Sequence, residues 1–291
     1  MESQDIWLVN NPASGSNDRD ALDALSGECD RAGLCLTRRI AFPGDDLPSP
    51  TELDAAGIRT VAVFAGDGTV NALVTHLAGW DGAILVLPGG TMNLMSRRLH
   101  GPRSSDEIVQ SLIRGDAQKV RPSIVHCMVG GNNNDAPAAT ALAELLTGPA
   151  TAWSEAREAF RDRNLAAVVE DALEAATESI EGVKVHCADP EAGRSEGYPL
   201  LMITPQGEEF SVKAYHADKV IEYAQQGIAI LGHRFRDGPH DELGKFKQML
   251  VKSADGSAIP MLIDGEQVEG GASVRLVLGR CGVDLIATGE R

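Results

Sequence analysis

Along the first 120 residues, short apolar runs alternate with segments whose apolar positions recur every three or four residues. Ile6-Trp7-Leu8-Val9 is an apolar run that ends in the turn segment 10–16. Residues 19–32 place Leu22, Leu25 and Cys29 on one helical face, and Leu34 to Leu36 opens a second strand. Pro43-Gly44-Asp45-Asp46 reads as a turn. Residues 60–65, TVAVFA, read as a buried strand broken by Gly66-Asp67-Gly68, with a helix over 69–77. Residues 83–87 form another buried strand, stopped by Pro88-Gly89-Gly90, and helices follow over 92–99 and 106–114. Strands separated by helices imply right-handed crossovers and an α/β domain with a doubly wound, mostly parallel sheet.

The texture changes after Val120. Residues 130–135, GGNNND, read as a loop or boundary, and 136–179 are rich in Ala and Glu at helical spacing. Beyond Val183, short strand-like runs dominate: 183–187, 200–204, 211–215, 227–231, 249–252, 261–263, 274–278 and 283–287. Such spacing predicts a β-sandwich or a small barrel with inserted helices. The division is therefore 1–120 as an α/β domain and 121–291 as a β-rich domain, whose last strands could return to the first.

Composition narrows the class. At 291 residues the chain has room for about two domains, and 43% hydrophobic with 23% charged residues excludes a disordered or fibrous chain. A net charge of −16 argues against a duplex nucleic-acid partner and against stable docking on an anionic membrane. The five cysteines are odd in number, scattered and free of CxxC, which fits a reducing cytoplasm. The start of the sequence has no signal-peptide pattern, and no apolar run approaches the ~20 residues of a membrane span.

Candidate chemistry sits in glycine turns that each follow a predicted strand: Asn11-Pro12-Ala13-Ser14-Gly15, Ala65-Gly66-Asp67-Gly68-Thr69 and Pro88-Gly89-Gly90-Thr91-Met92-Asn93. In an open α/β sheet the carboxyl ends of the strands line the ligand crevice. Glycines there let backbone N–H groups approach an anion, and helix N-termini add their dipole ends. One such turn alone is as readily punctuation; three in register favour a nucleotide site. Neither GxxxxGK[ST] nor GxGxxG is present. Asp67 is an acid within an anion-favouring turn, and beside polyphosphate it needs Mg2+ or a proton. As a structural residue it reads as a helix N-cap. Asp264-Gly265-Glu266, taken alone, reads as a hairpin turn. His233 and His240 are too isolated to argue for zinc, and Ser14 lies in no GxSxG elbow.

The order NPxSG, GDGT, PGGTxN and a late DGE resembles the diacylglycerol kinase catalytic family, which includes sphingosine, ceramide and bacterial lipid kinases. The likeness is strong over 5–115 and recurs at Asp264; GDGT alone is shared with NAD kinase and 6-phosphofructokinase relatives. The resemblance implies an α/β nucleotide domain followed by a β-sandwich domain. It also implies a phospholipid-metabolism enzyme that transfers the γ-phosphoryl of ATP, with Mg2+, to a lipid hydroxyl such as that of diacylglycerol. Carried over, it puts Asn11, Ser14, Gly15, Gly66, Gly68, Thr69, Gly90, Thr91 and Asn93 near the nucleotide. It makes Asp67, Asp264 and Glu266 the candidates for proton acceptance, with Asp67 and Glu266 handling the metal. Arg97 would help with phosphate charge, or be a solvated helix residue. The chain departs from the family at Ala65, at Ala72 and at Ser123, where acidic or glycine residues are usual, and Asp218 is a weak match to a family segment. Two alternatives follow: an NAD kinase-like phosphotransferase with a soluble acceptor, and a catalytically weak nucleotide-binding relative. The expected partner is a lipid reached transiently at a membrane surface, with no nucleic acid; a homo-oligomer is left open.

Overall fold

The computed structural model describes residues 4–13, 19–129, 137–152, 184–216 and 240–289. Two compact units are present, Met1–Pro122 with Arg280–Arg291, and Ser123–Gly279.

In the first unit β1 (Gln4–Asn10), α1 (Arg19–Arg31), β2 (Leu34–Ala41), α2 (Pro50–Ala55), β3 (Thr60–Ala65), α3 (Asp67–His76) and β4 (Ala83–Pro88) follow in turn. Then come α4 (Leu94–His100), α5 (Ser105–Ile113) and β5 (Gln118–Val120). A last strand near the end of the chain, Asp284–Ala287, slots between β4 and β5, so the sheet order is β2-β1-β3-β4-(284–287)-β5. The pairs among β2, β1, β3 and β4 are parallel, as is that of β4 with 284–287; only the β5 pairing is antiparallel. Every residue of β3 is buried, as expected of a strand covered on both faces. One face carries Ile6, Leu8, Ala62, Phe64, Leu85 and Leu87, against Leu25 and Cys29 of α1 and Ile108 and Val109 of α5.

Three boundaries differ from the sequence reading. Gly66 ends β3 as expected, but the helix opens at Asp67 and not at Thr69, with Gly66 as its extended N-cap (φ −74, ψ 169). Helix α4 starts at Leu94 and not at Met92, because Asn93 adopts a left-handed conformation (φ 52, ψ 42). Helix α2 was not anticipated, although Ser49-Pro50-Thr51-Glu52 spells its capping box, with the Glu52 carboxylate accepting from Ser49 and Ser49 accepting from the Glu52 N–H.

The second unit is built of antiparallel pairs. It begins with β6 (Ser123–Val129), β7 (Ala139–Ala141), β8 (Leu145–Thr147) and a 3-10 turn (Pro149–Ala152). It continues with β9 (Val185–Asp189), β10 (Glu191–Ala192), β11 (Leu200–Gln206) and β12 (Glu209–Tyr215). It closes with β13 (Asp241–Phe246), β14 (Gln248–Ser253), β15 (Pro260–Ile263), β16 (Glu266–Glu269) and β17 (Ser273–Arg280); the strand 284–287 is β18. Among the described residues these make two six-stranded sheets, β10-β9-β14-β17-β6-β7 and β13-β12-β11-β8-β15-β16. Alternate residues of both supply one core, including Val125, Cys127, Leu145, Val185, Ile203, Phe210, Val251, Met261 and Leu276.

The helical spacing expected from 136 onward is corrected where it can be seen: 139–141 and 145–147 are strands. Strand β8 pairs with β11 on one side and β15 on the other, with Leu145 and Thr147 buried. Packing between two partners outweighs the helix propensity of Ala, Glu and Leu. The expected loop 130–135, the rest of the helical spacing from 153 to 179, the strand 227–231, Asp218 and His233 lie outside the described residues.

Candidate functional site

The glycine turns of the first unit follow β1, β3 and β4, which are neighbours in the sheet. They emerge at one end because the strands are parallel. The chain order reverses at β1, flanked by β2 on one side and β3 on the other, which is the switch point where open α/β sheets bind ligands.

Named contacts tie these turns together. Across the switch point, Asn11 Nδ2 donates to Thr69 Oγ1 at 3.4 Å, while Asn11 Oδ1 accepts the Ala13 N–H at 2.9 Å. Thr69 is buried in the first turn of α3, and that helix has no side-chain cap. From the same turn, the Asp67 carboxylate reaches the start of α4, where Oδ2 accepts the Leu94 N–H at 3.0 Å and Oδ1 the Met95 N–H at 2.9 Å. Asp67 therefore caps a helix, but α4 rather than its own.

Asn93 turns back the other way. Its Oδ1 accepts the Gly90 N–H at 2.7 Å and its Nδ2 donates to the Gly90 carbonyl at 2.8 Å. The glycines before it are required by close backbone packing: a Cβ on Gly89 would lie 2.5 Å from the Ala65 nitrogen, and one on Gly90 would lie 2.5 Å from the Gly66 Cα. The turn after β4 rests directly on the turn after β3. Thr91 and Arg97 are exposed. Ser14 and Gly15 lie outside the described residues.

The other expected acids belong to the second unit. Asp264 and Gly265 form the two-residue turn between β15 and β16, both at positive φ (48 and 93), the hairpin connection that Asp-Gly favours. Asp264 is only 3% exposed. Its Oδ2 accepts the Leu142 N–H at 2.7 Å, and its Oδ1 accepts those of Ala143 at 2.8 Å and Glu144 at 2.9 Å. The Asp264 N–H donates in return to the Glu144 carbonyl. Burial, and secondarily the Asp264 charge, push the nearby Cys127 thiol up to about 12, so Cys127 is an inert core residue. Glu266 opens β16 and is exposed. Beside this hairpin an open cavity of about 450 Å³ is lined by apolar Ala258, Pro260, Met261 and Val268 and by polar Thr151, Gln267 and Glu269.

Sequence reasoning found the turns but not their partners. Leu94, Met95, Leu142, Ala143 and Glu144 act through backbone N–H groups, which carry no residue-type signal. Nor did it single out His100, a buried histidine of α4 whose Nδ1 lies 2.8 Å from Thr288 Oγ1. Among the described residues no group of three or more His, Cys, Asp or Glu side chains is gathered to hold a metal.

The comparisons agree with the motif reading. The chain matches across its length a crystal structure of a diacylglycerol kinase from Bacillus anthracis str. Sterne: 14% identity, TM-score 0.59, 99% of this chain and 98% of that one. A second Bacillus anthracis structure named for the same kinase gives 15% identity and a TM-score of 0.60, over 98% and 97% of the two chains. At such identities the likeness speaks for the fold. No curated protein matches the sequence. The sequence model of the diacylglycerol kinase catalytic domain matches residues 5–124, the segment that holds all three strand-end turns, and that segment belongs to this family.

Proposed function

We propose that the chain is an ATP-dependent lipid kinase that passes the γ-phosphoryl group to a lipid hydroxyl such as that of diacylglycerol. The carrying observation is the closure of the β1, β3 and β4 turns on one another, within a segment of that kinase family. A phosphate chain asks for N–H donors held close together in a positive field. The start of α3 meets this, since no side chain of its own occupies that dipole end. Asn11, Thr69, Thr91 and Asn93 add polar groups at the same strand ends. These residues fit a nucleotide.

Mg2+ would supply charge neutralisation on the phosphate oxygens. Such an ion keeps several waters and takes only one or two carboxylates, so no preassembled cluster is needed. By the family resemblance, Glu266, exposed at its hairpin, would be the acid for the ion or for the hydroxyl proton. Asp264 fixes the turn that carries it. The mixed lining of the cavity beside β15 and β16 suits a lipid with an apolar body and a hydroxyl end. Among the described residues no helix is long and apolar enough to cross a membrane; the lipid would be reached at the membrane surface.

The test is transfer of labelled phosphate from ATP to diacylglycerol in mixed micelles, beside arms with NAD+ and with no acceptor. Labelled phosphatidic acid is the expected product, abolished in the Gly68→Val variant together with ATP binding. Label appearing on NAD+ alone, or ATP binding with no transfer to lipid, overturns the proposal.

A further inference from the structure

We infer that Asp67 is a positioning residue that clamps the two nucleotide turns together, and not the group that takes the hydroxyl proton or holds the metal. The inference rests on the nucleotide reading above and assigns a role within that site. Its basis is a closed ring of contacts. Gly66 and Asp67 open α3, and the Asp67 carboxylate receives the Leu94 and Met95 N–H groups at 3.0 and 2.9 Å. Leu94 follows Asn93, whose side chain grips both the N–H and the carbonyl of Gly90. Gly90 in turn packs on Gly66, so closely that a Cβ would sit 2.5 Å from the Gly66 Cα. The Asp67 side chain closes the ring back to its origin.

Two further features agree. Helix α4 receives no cap from its own N-cap residue, since the Asn93 side chain is turned away from it. Asp67 is 8% exposed, so its charge is compensated chiefly by groups that contact it, and the first-turn N–H groups of α4 are such groups. A proton or an ion on this carboxylate would draw on the same oxygens and weaken these bonds. A carboxylate that keeps them holds the α3 and Gly90 turns at fixed separation.

The roles part in the variants Asp67→Asn and Asp67→Ala. Asparagine keeps one of the two accepting oxygens and turns an NH2 toward the other donor, alanine keeps neither, and neither can act as a base. If Asp67 positions, both variants weaken ATP binding, Asp67→Ala by about tenfold, the scale of a lost cap, and Asp67→Asn by less. Transfer to diacylglycerol then survives in Asp67→Asn once ATP is saturating, with the acid limb of its kcat/KM pH profile unmoved. If Asp67 is the base or metal group, both variants lose transfer alike, by ~10²-fold or more, while ATP affinity is kept; that result overturns the inference. Amide exchange at Leu94 and Met95 is read without any substrate. Protection that falls from wild type through Asp67→Asn to Asp67→Ala supports the clamp; equal protection in all three sinks it. A wild-type protein that transfers nothing to lipid would refute the kinase reading but leave the exchange and ATP-affinity arms to judge Asp67.

Discussion

Asp264 stands in a conformation few side chains tolerate, with φ at 48, and it is 3% exposed with a formal charge. Its three N–H donors, at 2.7, 2.8 and 2.9 Å, come from three consecutive residues of the β7–β8 connection, roughly 120 positions earlier. Hydrogen bonds to a charged acceptor contribute about 1.5–3 kcal/mol, and orphaned buried donors cost more than the bond was worth. Asp264→Ala should therefore destabilise the chain by about 3–5 kcal/mol. Asp264→Asn tolerates the positive φ but turns an NH2 toward the N–H donors, and should cost about 2 kcal/mol. Urea unfolding of both variants measures this. A loss under about 1 kcal/mol in both would reduce the turn to an ordinary hairpin tip. Any loss of transfer in these variants is to be judged only against their unfolding midpoints.

At the level of elements, the turn after β4 requires glycine where it rests on the turn after β3. At Gly90 an added Cβ meets the backbone of Gly66 at 2.5 Å, and backbone cannot rotate away as a side chain can. Gly90→Ala should move the whole turn after β4 and lower the melting temperature by several degrees, as overpacking of about 1–3 kcal/mol does. An unchanged melting temperature would contradict the turn-on-turn packing. Gly68 lies within the first turn of α3 and makes the cleaner probe of nucleotide binding. The same pair of turns marks what could be read in the sequence. The buried runs TVAVFA and AILVL identified β3 and β4, and the glycines after them identified the strand ends, because burial and turn chemistry are written in residue types. The partners of Asp67 were not legible, since they are main-chain groups 27 and 28 positions away. The strands 139–141 and 145–147 were not legible either, because their neighbours, β6 for one and β11 and β15 for the other, exist only after folding.

On the scale of the whole chain, the first unit is assembled from both ends of the sequence, and this has a consequence for its acid stability. Strand β18 lies between β4 and β5, with Leu285 fully buried, and Arg121 of the preceding segment pairs with Asp284 at 2.6 Å. Beyond it, the N–H groups of Thr288 and Gly289 donate to the Leu99 carbonyl, Arg103 donates to the Thr288 carbonyl, and Thr288 Oγ1 meets His100 Nδ1. Burial first, with a smaller contribution from the Arg103 charge, pulls His100 down from 6.5 to about 4. The unfolded chain therefore takes up a proton near pH 6.5 that the folded chain refuses until about pH 4. More protons on the unfolded state means stability falls with falling pH, so the loss runs through the window from 6.5 down to 4 and amounts to at most about 3 kcal/mol. His126 of the second unit is also lowered by burial and acts in the same direction. The lowered carboxyls Glu52, Asp106, Glu107, Asp241 and Asp255 lose their contribution only below their ordinary values of 3.8 to 4.5, under most of this window. The wild-type melting temperature should thus drop between pH 7 and pH 5, before carboxyl titration dominates. In His100→Gln, which keeps a polar group for Thr288 but cannot titrate, the drop should shrink clearly even if the variant is less stable at pH 7. An equal drop in variant and wild type would mean that the junction between α4 and the returning C-terminal segment does not set the acid limb.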